Sequence, residues 1–194
     1  MSSPTPIYIE SRAAWREWLA KHHATETNVW VKLYRKKSET ASVTYDEAVD
    51  EALCFGWIDS SVRKGDDEHR VQFFSQRKPK SNWSRVNKAK IEKLTAAGLI
   101  TEAGQKMVDL AKRTGTWTAL DDVENLNSPP DLQTALDASP AARTHYDAFP
   151  RTAKRGMLEW LLNAKTSETR ARRIAEIVSK AERNERANQY VRKT

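Results

Sequence analysis

The chain has 194 residues and a single cysteine, Cys54. No internal disulfide can form, and one thiol suits a reducing compartment. Apolar runs are short, and none approaches the ~20 residues that a membrane-crossing helix needs. The opening MSSPTPIYIE has no basic segment leading into an apolar stretch. No secretory signal is read there, and a cytoplasmic location is expected. The phosphate-binding patterns GxxxxGK(S/T) and GxGxxG are missing, as is the GxSxG elbow, which argues against a P-loop, a dinucleotide site or an α/β-hydrolase. There is no HExxH and no paired CxxC. The histidines are His22, His23, His69 and His145, and adjacent His22 and His23 point to different sides of a helix. No metal and no other cofactor is expected.

Charge is plentiful and unevenly placed. Charged residues make up 30% and hydrophobic ones 39%, with a net charge of +7. Residues 77–93, RKPKSNWSRVNKAKIEK, hold seven Lys/Arg against one Glu, whereas residues 101–130 hold three against five Asp/Glu. So concentrated a basic stretch can attract phosphate, nucleic acid or an acidic partner, or can simply be a solvated helix face.

Periodicity organises the rest. Ile7 to Ile9 form a short β-like run, and Ser11 caps a helix with Trp15, Trp18 and Leu19 on one face. Residues 28–36, NVWVKLYRK, alternate as a half-buried strand: Val29, Val31 and Leu33 point one way, Trp30, Lys32 and Tyr34 the other. Thr44 with Glu47 forms a capping-box signature, and Gly56 sits where a left-handed residue ends the helix. Residues 57–75 read as a hairpin around KGDD, with Trp57, Asp59, Ser61 and Arg63 on one face. A helix capped by Ser81 or Ser84 comes next, with Val86, Lys90, Ile91 and Leu94 aligned, then another from Thr101 to Gly115. Two adjacent prolines close a long connection, and Pro129 and Pro140, each after a serine, mark helix starts. The last helix begins near Thr166 or Ser167. These elements predict an α+β fold: a small antiparallel sheet packed with helices over 1–116, a connector over 117–130, a C-terminal helical module over 131–186 and a frayed tail over 187–194.

Candidate chemistry centres on the segment ALCFGWIDS and on the chain leaving the hairpin. Cys54 falls at a helix C-terminus, where the dipole raises a thiol pKa, so a buried structural role is expected. Asp59, Arg77, Ser81, Trp83, Ser84 and Asn87 form the polar set of interest, with Trp57 beside Asp59. Arg77, two hydroxyls and the free amides of a helix start can hold an anion or carboxylate, with Trp57 or Trp83 stacking. Alternatively, Ser81 and Ser84 only cap, Trp83 packs on the sheet, and Arg77 pairs with Asp59 as a buried strut. Two rival functions are an enzyme using Asp59 as acid or base and electrostatic nucleic-acid binding through residues 77–93. In the last helix, Arg170 and Arg173 are interleaved with Glu168, Glu176 and Glu182, which argues against sequence-specific DNA reading.

Three motifs, ALCFGWIDS, RKPKSNWSRVN and WLLNAKTSETRARRI, resemble in order those of the YdeI/OmpD-associated, or bacteriocin-protection, family over about residues 8–186. The resemblance implies a stress-response protein linked to tolerance of bacteriocins or cationic antimicrobial peptides, with no established reaction. It also draws attention to Lys165, Thr169 and Arg170, a C-terminal motif of unassigned role. Like charges repel, so the basic stretch around residue 80 argues against direct capture of a cationic peptide. The resulting expectation is a non-enzymatic protein. It binds a small anionic or polar ligand, or an acidic partner, beside the hairpin and the 81–87 helix start.

Overall fold

The computed structural model describes residues 5–188. Its elements begin where capping chemistry meets an apolar stripe. Ser11 accepts from the Ala14 amide and starts α1 (Arg12–His22), whose Trp15 and Leu19 are buried. Thr44 and Glu47 make both halves of the capping box of α2 (Tyr45–Cys54), which pairs two amides that a bare helix start leaves open. Gly56 then reverses the chain at φ +73°, a conformation that glycine adopts without a Cβ penalty.

The sheet contains β1 (Ile7–Tyr8), β2 (Asn28–Tyr34), β3 (Trp57–Lys64) and β4 (His69–Gln76), in the order β1-β2-β4-β3. Both β2 and β3 run antiparallel to β4, but β1 runs parallel to β2, so the sheet is mixed rather than purely antiparallel. Val29, Val31, Leu33, Trp57 and Phe74 join the core built with the helices. The opposite face carries Trp30 and Phe73, with ring centroids 4.8 Å apart.

A bulge breaks the simple alternation of β3. Asp59 faces Phe74 but Val62 faces Gln72, so three steps on β3 match two on β4. Past the extra residue the faces exchange. Val62 and Lys64, not Ser61 and Arg63, therefore continue the side of Trp57 and Asp59. Buried Gln72 stabilises this distortion by donating its amide to the carbonyls of Ser60 and Ser61 at 3.4 and 3.3 Å.

Two helices complete the N-terminal unit: α3 (Arg85–Ala96), capped by Ser84, and α4 (Glu102–Thr114), capped by Thr101. Ile91 and Leu94 are buried, whereas Val86 is 65% exposed. Val86 precedes Ile91 by five residues, roughly 140° around the helix, and so leaves the stripe expected of it. Gly104 of α4 lies against the end of α2, where a Cβ would come within 2.3 Å of the Cys54 carbonyl oxygen.

Contacts divide the chain between Ala119 and Leu120. The second unit holds α5 (Asp121–Asn125), α6 (Pro130–Asp137), α7 (Pro140–Ala148), α8 (Arg151–Leu162) and α9 (Ser167–Glu182). Its core includes Leu132, Leu136, Met157, Leu161 and Ile177. The expected connector is partly structured, since Leu120 and Val123 join this core. Pro130, not Pro129, takes the first helical position of α6, whereas Ser139 and Pro140 start α7 as read from the sequence. Thr166 is the cap of α9. Ala187 is buried, and residues 189–194 of the expected tail lie outside those described. No described helix is long and apolar enough to cross a membrane.

Candidate functional site

Strand alternation creates a hollow of mixed polar and apolar lining on the sheet face opposite the helix-packed core. Ile58 and Ser60 of β3 and Phe73 and Ser75 of β4 line it, one position out of step with the buried Trp57 and Phe74. The chain then leaves β4 through RKPK. The Arg77 amide donates to the Gly56 carbonyl at 2.9 Å, and the Ser81 amide closes a turn onto the Lys78 carbonyl at 2.9 Å. These bonds bring Arg77, Lys78 and Ser81 to the rim of a hollow of about 640 Å³. Among the described residues, no carboxylate lines it.

Arg77 is its unusual member. The residue is only 5% exposed, and its guanidinium carbon lies 3.7 Å from the centroid of the Trp83 ring. One terminal nitrogen donates to the Asn82 carbonyl, but Nε and Nη1 are buried without an acceptor. Burial pushes the guanidinium down to about 10, with the Asp59 carboxylate acting the other way. Arg77 therefore stays protonated at neutral pH. A buried cation normally has an anionic partner, because desolvating it alone costs several kcal/mol. Stacking on an indole recovers part of that cost, about 2 kcal/mol for a desolvated pair.

Asp59 does not supply the missing partner. Its carboxylate accepts from the Tyr45 hydroxyl at 2.7 Å and from the Gln72 amide at 3.4 Å. Tyr45 in turn carries the Arg70 guanidinium 5.0 Å above its ring. Burial, reinforced by the bond to Asp59, pushes the Tyr45 phenol up to about 12. Arg77 and Asp59 thus attract each other through space without forming an ion pair.

The other residues singled out from the sequence divide plainly. Ser81 shares the hollow with Arg77, and Trp83 lies beneath the guanidinium, 1% exposed. Trp57 is buried and donates its indole N–H to the His23 carbonyl at 3.2 Å. Ser84 accepts from the Asn87 amide, so this pair caps α3. In the C-terminal motif, the Thr166 hydroxyl oxygen accepts from the Thr169 amide at 3.1 Å, and Arg170 makes a two-pronged pair with Asp131 at 2.5 and 2.9 Å. Thr169 thereby completes the start of α9, Arg170 fastens that start to α6, and Lys165 lies just before the cap.

Cys54 is buried, and desolvation pushes its thiol up to about 11, which leaves no reactive thiolate at neutral pH. Among the described residues, no group of three or more His, Cys, Asp or Glu is placed to hold a metal. Ser60, Phe73, Ser75 and Lys78 were not singled out from the sequence. For Phe73 and Ser75 the signal lay in β4, where they precede Arg77 at intervals of two. Tyr45, the partner of Asp59, had no comparable signal, because its approach is a tertiary contact.

Family comparisons divide along the same two units. The chain belongs to the family defined by a domain of unknown function (DUF8412), whose model matches residues 7–107. Residues 125–184 match the family described as bacteriocin-protection, YdeI or OmpD-associated. The likeness read along about residues 8–186 thus resolves into two family models. No curated protein and no solved structure matches the chain.

Proposed function

We propose, from the match over residues 125–184 and the geometry at Arg77, that the chain is a non-enzymatic protein of the bacteriocin-protection type whose N-terminal unit binds a small anionic or polar ligand, or an acidic partner's tail, at Arg77. The observation that carries this reading is the buried guanidinium with two nitrogens lacking acceptors, at the rim of a hollow with no carboxylate among its described lining residues. An incoming carboxylate or phosphate offsets the uncompensated guanidinium charge, with Lys78 and Ser81 beside it to donate hydrogen bonds. The cationic rim disfavours a cationic peptide as the occupant.

Other readings have less support. An acid–base role for Asp59 requires a free carboxylate in a cleft, but Asp59 is engaged by Tyr45 and stands across the sheet from the hollow. Nucleic-acid binding through residues 77–93 requires free cations along one face. Arg77 is buried, and Lys90 is paired with Asp50 at 2.5 Å.

The test is titration of the full chain with inorganic phosphate, read by calorimetry and by tryptophan emission. Saturable binding that weakens with salt and disappears in Arg77→Met is expected. Phosphate binding that survives Arg77→Met, or no binding of any anion by the folded wild type, refutes the reading.

A further inference from the structure

Resting on that anion reading, we infer that the ligand is a hydroxylated anion, a sugar phosphate or polyhydroxy acid, held by its charge at Arg77 and Lys78 and by its hydroxyls at Ser60, Ser75 and Ser81. The argument is the hollow's unspent hydrogen-bonding capacity. The hydroxyls of these three serines make no hydrogen bond with any described residue, and the Lys78 ammonium makes no ion pair with one. Arg77 adds an uncompensated positive charge just behind the rim, its Nε and Nη1 buried without an acceptor.

These groups differ in what they select. A guanidinium and an ammonium only donate, so they match the oxygens of a phosphate or carboxylate. A serine hydroxyl both donates and accepts, so three around one hollow match a ligand that does the same. Phe73 supplies an apolar wall for a carbon skeleton, which a purely ionic ligand would leave unused. Size points the same way. The volume of about 640 Å³ lies inside the usual range for small-molecule sites, about 300–1,000 Å³, and a bare phosphate would leave most of it to water.

Binding of four probes to the full chain tests this at constant ionic strength: inorganic phosphate, ribose 5-phosphate, glucose 6-phosphate and glucose. At least one sugar phosphate is expected to bind about tenfold or more tightly than inorganic phosphate, with glucose far weaker than either. The Ser60→Ala/Ser75→Ala variant, which leaves Arg77, Lys78 and Ser81 in place, is expected to lose most of that preference while keeping wild-type affinity for inorganic phosphate. If its melting profile departs from wild type, Ser60→Ala and Ser75→Ala are measured singly, each with a partial loss expected. Equal affinity for phosphate and both sugar phosphates overturns the hydroxylated-ligand inference and leaves the anion reading standing. A preference that survives removal of the Ser60 and Ser75 hydroxyls also overturns it. Glucose binding as tightly as the sugar phosphates, or no binding by any phosphate, overturns the anion reading itself.

Discussion

Replacing Arg77 by methionine sets two accounts of this residue against each other. If Arg77 is a compensated structural ion, removing it breaks a buried pair and destabilises the protein by about 3–5 kcal/mol. If it waits for an external anion, the unliganded protein loses little. Burial brings the guanidinium down to about 10, and at about 1.4 kcal/mol per tenfold in proton affinity this corresponds to roughly 3 kcal/mol of unfavourable charge desolvation. Methionine removes that burden. It also forfeits about 2 kcal/mol of cation–π attraction to Trp83 and about 1 kcal/mol of hydrogen bonding to the Asn82 carbonyl. The sum is close to zero, and the thioether still packs on the indole. The melting temperature should therefore move by no more than about 4 °C, at ~2–4 °C per kcal/mol for a chain of this size.

The same substitution predicts a signature in pH. The folded-state pKa of Arg77 is depressed, so between about 10 and the ordinary arginine value the unfolded chain binds more protons. Stability of the wild type relative to Arg77→Met must therefore rise as pH climbs through that window. Paired denaturant melts at neutral and strongly alkaline pH measure the difference. Phosphate at 100 times its dissociation constant should stabilise the wild type by about 2.7 kcal/mol and leave the variant unmoved. A loss of 3 kcal/mol or more in Arg77→Met without ligand would refute the reasoning.

Three further perturbations probe the frame around the site. Gly104→Ala should destabilise by about 1–3 kcal/mol by overpacking despite alanine's ~1 kcal/mol helix advantage, because the new Cβ would meet the Cys54 carbonyl oxygen at 2.3 Å; urea melts at least as stable as wild type would disprove the contact. Asp59→Asn should bring the Tyr45 phenol, held up to about 12, part of the way back toward 10, because burial, the larger cause, remains; titration of phenolate absorbance reads this. Arg170→Ala should lower stability of the C-terminal unit by about 1 kcal/mol or less, since its pair with Asp131 is partly exposed. Arg170 holds the Asp131 carboxyl below the usual range, so the wild-type advantage should be present at neutral pH and disappear as pH falls through that depressed value; acid melts of both proteins read this.

Local chemistry made much of the fold legible. Thr44 with Glu47, Ser11 and Gly56 each satisfied a backbone requirement that a short window of sequence displays. The parallel pairing of β1 was hidden, because two residues carry no orientation signal. So was the bulge, since Ser60 and Ser61 look like any exposed strand pair and only Gln72, across the ladder, holds their carbonyls. At the site, the charge at Arg77 and the turn after β4 could be read locally. The partner of Asp59 could not, because Tyr45 arrives from another element. The dual capacity of Ser84, cap or ligand, was likewise decided by a backbone amide, that of Asn87, which no residue pattern reveals.

The sheet's two rims have a consequence for behaviour in crowded solution. One rim is β1, only two residues long. The other is β3, kinked by its extra residue, its peptide oxygens at Ser60 and Ser61 engaged by Gln72 and its far end bearing Arg63 and Lys64. An intruding strand needs a long, flat, uncharged template to begin cross-molecular pairing, and neither rim provides one. The native protein should accordingly resist fibril seeding at high concentration.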